Sequence, residues 1–276
     1  MNPTLILIRK EIRDGLRNRW VLAITALLAM LALSLGFLGS APTGTVKVDR
    51  LTVTVVSLSS LSIFLIPLIA MLLSYDAIVG EIDRGTMALL LSYPIARRQV
   101  MAGKFLGHLA ILALATVAGY GIAGLALQLA HGGLDLAAWT PFALLIAASI
   151  LLGASFLSLG YLISALVQER ATAAGVAIGV WLFLVVIYDM VLLGVLVADQ
   201  GRIITAPLLN GILLFNPTDV YRLLNLTGHE NIAMFAGMAG LSDQATLSTG
   251  VLLLAQVLWI AVPLGLAALV FNRRSL

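Results

Sequence analysis

Six stretches of this chain are apolar over about twenty residues or more, at roughly 20–38, 51–75, 105–129, 139–166, 172–198 and 248–271. A helix needs about 20 apolar residues to cross the hydrocarbon core of a bilayer. In lipid, a helix is one of the few structures that satisfies its own backbone hydrogen bonds. The pattern therefore predicts an all-α integral membrane protein with six transmembrane helices, built as a single domain over residues 1–276. Composition agrees, since only 11% of residues are charged where a soluble domain carries about 25%. The chain has no cysteine, which removes disulfides, iron–sulfur clusters and thiolate metal sites. Its basic residues form no nucleic-acid-binding face. The expected surroundings are the membrane, with no nucleic acid partner.

The distribution of Lys and Arg sets the expected orientation. With the N-terminus inside, the inner segments hold Arg9, Lys10, Arg13, Arg17, Arg19, Arg84, Arg97, Arg98, Lys104, Arg170, Arg273 and Arg274, and the outer ones hold Lys47, Arg50, Arg202 and Arg222. That is 12 against 4, so both termini are expected in the cytoplasm. The first apolar run is longer than a signal-peptide core and lacks a clean A-x-A site, so it reads as a retained helix. Residues 1–19 read as an amphipathic elbow helix in the headgroup plane, because Leu5, Ile8, Ile12 and Leu16 recur at helical spacing among basic residues. The long outer segment, 199–247, holds apolar pieces too short to span and is expected to form short interfacial helices punctuated by Pro207 and Pro217.

Few residues offer chemistry. "GYGIAG" (Gly119, Gly121, Gly124) sits inside an apolar run, not at a strand-to-helix turn, so close helix packing is expected instead of dinucleotide binding, as for Gly175 and Gly179. No G-x-x-x-x-G-K-[ST], H-E-x-x-H or G-x-S-x-G is present, and the spans offer too few titratable groups for a membrane-embedded enzyme. Asp189 lies 18 positions past Ala171, about 27 Å along a helix at 1.5 Å per residue. The expectation is an acid wetted at the outer mouth, with a buried substrate or proton site as the alternative. His229, Met234 and Met238 are weak candidates for copper(I). No metal site is expected, and no cofactor on this chain.

"EIDRGTMALLLSYPIARRQVMAGK", Glu81 to Lys104, is charged yet contains Met-Ala-Leu-Leu-Leu. Gly85 permits a sharp entry, Thr86 is expected to cap a short helix through its hydroxyl, and Pro94 sets the exit. A two-turn helix lying along the inner surface can pass a push from a cytoplasmic partner into two spans at once. The bland reading is an interfacial connection.

This stretch resembles the ABC-2-type permeases, in which an acidic stretch, Gly-Thr, a Leu-rich turn, Pro, a basic residue and a Lys before the third span recur in order. The resemblance extends to the six-span layout, the elbow helix and the long outer loop. It implies that the 76–104 loop carries a coupling helix docked on a separate cytoplasmic ATPase subunit, with ATP and Mg held there. It further implies a second copy of the chain, a periplasmic partner on the outer loop and location in a bacterial inner membrane. The residues it assigns to coupling are Glu81, Asp83, Arg84, Gly85, Thr86, Leu89 and Leu90, with Gln168, Glu169 and Arg170 of "VQER" as a second contact. Disrupting Glu81 or Thr86 is expected to uncouple the ATPase without unfolding the bundle. The function expected is ATP-driven transport. The alternative is a mechanical transducer that moves no cargo.

Overall fold

A computed structural model describes residues 3–17, 19–38, 50–130, 136–199, 203–226 and 247–274. Among them all regular structure is helical. Helix α1 (Pro3–Arg17) leads into α2 (Trp20–Leu38), and α3 is Arg50–Ser74. Two short helices follow, α4 (Val79–Asp83) and α5 (Thr86–Leu91), before the long α6 (Arg97–Ala130) and α7 (Leu136–Leu166). The fifth span runs through α8 (Arg170–Leu182), a π-helical turn (Phe183–Ile187) and α9 (Tyr188–Asp199). Helices α10 (Ala206–Leu214) and α11 (Pro217–Leu226) precede the last span, α12 (Thr249–Arg273).

Among the described residues five helices are long and apolar enough to cross a membrane, or six if the pair α1–α2, bent by 66°, counts as one span. Helix α7 is central, packed against α3 on one side and α12 on another, while α6 carries α1 and α2. Each of the six expected spans falls on a helix, with boundaries off by a few residues at most except at the start of α6. There the helix begins eight residues before 105, at Arg97. The Gln99 side chain accepts from the Ala96 backbone N–H at 3.0 Å, the half of a capping box that the basic sequence hid.

Some polar side chains inside the bundle are partnered across helices and others to carbonyls of their own helix, such as Ser74 and Thr116, as the absence of water in lipid demands. Ser62 and Tyr120 bond at 2.6 Å and Gln256 donates to Ser155 at 3.0 Å. Pro263 lacks the N–H that would bond the Trp259 carbonyl four residues back. The Ser158 hydroxyl lies 3.3 Å from that carbonyl, further than the 2.9 Å to the Ala154 and Ser155 carbonyls of its own helix, so it is at most a shared donor there. At the α5 end of the bundle, helix C-termini are met by arginines, as the helix dipole favours. Arg97 donates to the carbonyls of Phe271 and Arg274 at 2.8 and 2.6 Å, and Arg274 to that of Ala165 at 3.0 Å.

The elbow helix does more than lie on a surface. Leu5 and Leu16 are exposed, the face left to lipid, while Leu7 and Glu11 are buried against α6. That approach requires glycine: a Cβ on Gly107 would sit 2.5 Å from the Glu11 Cβ. Gly107→Val is therefore expected to destabilise the chain by about 1–3 kcal/mol through overpacking, read as a lowered thermal midpoint in detergent. Of the glycines expected to pack closely, Gly119 does so against Leu28 of α2, and Gly124 against Phe142 and Trp139 of α7, 3.3 Å from where its Cβ would stand. A Cβ on Gly121, Gly175 or Gly179 would meet nothing within 4 Å, so the packing reading fails for them within one chain. Spacing alone cannot say which side of a helix meets a neighbour.

Candidate functional site

The short helices α4 and α5 are built around one backbone reversal. Gly85 takes φ +71°, ψ 0°, the left-handed region where glycine is without penalty. Its N–H bonds the Ile82 carbonyl at 2.9 Å, ending α4, and the same residue stands at the N-terminus of α5. The Thr86 hydroxyl does not cap the following helix as expected. It donates backward to the Glu81 carbonyl at 3.1 Å, satisfying the end of α4. A glycine that reverses the chain places the threonine beside the helix behind it, which is why the capping expectation fails.

Helix α5 buries Met87 and half-buries Leu90, whereas Leu89 is 67% exposed and Tyr93 beyond it 62%. Asp83 and Arg84 are also exposed. The result is an apolar tip, with charge behind it, raised on a buried anchor.

Beneath the tip lies a chain of partnered polar groups. Lys104 of α6 is 3% exposed and sits between two carboxylates, Glu11 of α1 at 2.9 Å and Glu81 of α4 at 2.6 Å. Glu11 also faces His108 Nε2 at 3.6 Å, and His108 Nδ1 pairs with the Tyr161 hydroxyl of α7 at 2.8 Å. Ser164 Oγ of α7 accepts from the backbone N–H groups of Ile78 and Val79 at 3.0 and 3.1 Å, holding the entry of α4. Arg170 reaches Asp76 at 2.8 Å, so the second expected contact segment is joined to the first. Gln168 and Glu169 beside it are exposed.

These bonds tie α4 and α5 to α1, α6, α7 and α8 together. A cavity of about 400 Å³ opens beside them, with Lys10, Glu11, Asp76, Glu81, Arg84 and Arg170 on its walls. The signs balance, so the cavity favours no simple ion. Sequence reasoning found Glu81 and Arg170 and missed Glu11, Asp76, Lys104, His108, Tyr161 and Ser164 as members. Among the described residues no three His, Asp or Glu side chains form a group that can hold a metal ion. His229, Met234 and Met238 lie outside the described residues.

Asp189 keeps 24% side-chain exposure, as an acid at the outer mouth would, but it is also tied into the fold. Its carboxylate pairs with Arg222 at 2.5 Å, and its Oδ1 is buried. A helix from the loop covers it, which position along the span does not reveal.

An amphipathic elbow, a glycine-hinged short helix with a bare apolar tip and a bundle with five to six candidate spans occur together here. Residues 5–276 match the family described as ABC-2 family transporter protein. The chain belongs to that family. This permease is 46% identical to the "Probable ABC transporter permease protein NosY" of Stutzerimonas stutzeri over 275 residues, covering 99% of both chains. It is also 46% identical over 269 residues to the protein of the same name from Pseudomonas aeruginosa, covering 97% of each. As an ABC-2 permease with several apolar helices it is a multi-pass inner-membrane protein.

Proposed function

We propose that this permease works as a pair of identical chains, each seating a cytoplasmic ATPase subunit on α5, and that ATP and Mg belong to that subunit. In this reading the α4–α5 end of the bundle faces the cytoplasm, in line with the excess of Lys and Arg in the inner segments. The exposed pair Leu89 and Tyr93 is the observation that carries it, because an apolar tip on a rigid, charge-braced base fits a groove in a partner. Force applied there reaches α1, α6, α7 and α8 at once through Lys104, Ser164 and Arg170. Differential affinity of the ATPase for two arrangements of the bundle would then bias one over the other.

Identity with NosY across the whole chain supports a finer reading. The ATPase would be NosF-like, and a NosD-like periplasmic protein would meet the α10–α11 end. The transporter would serve maturation of the copper centres of periplasmic nitrous oxide reductase, by exporting a sulfur species or supporting copper-site assembly. A transducer without cargo is not favoured, since both relatives are named permeases.

The test is purification of the tagged chain from its native membranes in mild detergent. The wild type is expected to bring down an ATPase in equal amount. Leu89→Asp is expected to reduce that recovery at least about tenfold, as loss of a central apolar anchor does, with an unchanged thermal midpoint because Leu89 is exposed. A wild-type chain that comes down alone would sink the coupling reading.

A further inference from the structure

At the opposite end of the bundle, two acids from different helices meet one arginine. Arg222 of α11 donates to Asp219 Oδ1 of the same helix at 2.6 Å and to Asp189 Oδ2 of α9 at 2.5 Å. Asp219 is 2% exposed. The second oxygens, Asp189 Oδ1 and Asp219 Oδ2, are both buried and have no hydrogen-bond partner. Two buried acceptors without a donor, on carboxyls joined through one arginine, are costly. One guanidinium cannot neutralise two carboxylates. A single proton supplies both the missing donor and the missing charge.

We propose that the buried Asp219 carboxyl holds a proton beside Asp189 and, with Arg222 bridging the two, forms a proton-dependent latch fastening α11 to the fifth span.

The surroundings leave the proton little competition. Asp219 faces Asp189 and the Tyr188 phenol from α9, and Arg222 and the Asn216 amide from its own side. Helix α10 carries no ionisable residue, α7 and α12 carry only Tyr161 and Arg273, both near the α5 end, and α3 carries only Arg50, at its first residue. The Tyr221 phenol, on α11 itself, bonds Ser149 at 3.1 Å. Burial pushes the Asp219 carboxyl up to about 7; Arg222 opposes the shift and Asp189 adds to it. Asp189 and Arg222 are 24% and 19% exposed at the side chain, which gives the proton a path to water.

The sign follows from proton counting. The closed latch holds a proton that a detached α11 releases, so closure is favoured below about pH 7 and weakens as pH rises through that value. Helix α11 packs on α3, α7 and α12 as well as on the fifth span, so a weakened latch loosens the whole cover at this end.

The experiment uses the full chain in lipid nanodiscs. Infrared spectra are expected to show the carbonyl band of a protonated carboxylic acid at about pH 6, lost by about pH 8, and missing in both Asp189→Asn and Asp219→Asn. Hydrogen exchange of the α11 amides, corrected for intrinsic rate, is expected to rise about tenfold across that range in the wild type. In Asp219→Asn it should be flat. A wild type with no acid band at the lower pH, a band that survives in both variants, or wild-type exchange of α11 that ignores pH would each overturn the latch. If a variant fails to fold, the wild-type band and exchange profile still decide.

Discussion

Lys104→Met is expected to lower the thermal midpoint of the purified chain by roughly 10 °C. Its methylene stem is replaced by one of similar bulk, so packing changes little. What is lost is the buried ammonium held between Glu11 at 2.9 Å and the part-buried Glu81 at 2.6 Å, where Lys10 reaches Glu11 only at 3.4 Å from the surface. Breaking a buried ion pair from one side costs about 3–5 kcal/mol, because the remaining charge stays buried without a partner. At this chain length each kcal/mol moves the midpoint by about 2–4 °C. The contrast that identifies the cause is a triple variant, Glu11→Gln, Glu81→Gln and Lys104→Met. Removing all three charges leaves no orphan, so it should melt above Lys104→Met alone although it has lost more bonds.

Acidification separates the two cases further. In the wild type, burial pushes the Glu11 carboxyl up, but Lys104, aided by His108 and Lys10, more than offsets it and holds the group below its usual 4.5. A depressed carboxylate contributes stability that is full above its ordinary value and lost as pH falls through the folded one. Mild acid should therefore weaken the wild type near and below about pH 4.5. The Lys104→Met chain, whose orphaned carboxylates gain by taking up protons, should be strengthened by the same treatment. Parallel responses of the two proteins would show that the triad is not what Lys104 holds together.

This triad also marks the limit of what the sequence discloses. The spans were legible because the bilayer imposes one length and one composition on every crossing helix. The coupling loop was legible because glycine and proline punctuate it. Glu11 and Lys104, however, lie 93 residues apart, and nothing in either local pattern says that they touch. Glu81 reads from the sequence as a coupling residue, and the structure adds a part-buried ion pair with Lys104, so its replacement is expected to destabilise the chain as well as to uncouple it. Asp189 shows the same limit: Arg222, 33 residues away, is brought to it only because α11 folds back over the fifth span. Long-range pairing among charges follows from topology, and an amphipathic pattern carries none of that information.

Asn216→Ala is the second large effect, and it tests how α11 is held before any proton is considered. Asn216 is fully buried at the start of α11, followed by Pro217 at the first helical position, where its missing N–H is no loss. Its Oδ1 accepts from the Thr218 N–H at 3.1 Å and the Thr218 hydroxyl at 2.8 Å, which makes it the N-cap. Its Nδ2 donates at 2.9 Å to the carbonyl of Leu184, inside the π-helical turn of the fifth span. Loss of the cap costs about 1 kcal/mol. Stranding a buried carbonyl adds about 1–3, since the Thr218 hydroxyl at 3.4 Å is a poor substitute. The sum, about 2–4 kcal/mol, should appear as a lowered thermal midpoint and faster hydrogen exchange in α11. Asn216→Ser keeps a capping oxygen but cannot reach Leu184, and should recover only the smaller share. Full recovery in Asn216→Ser would mean that the cap alone holds the helix, and that the π turn of the fifth span is not its anchor.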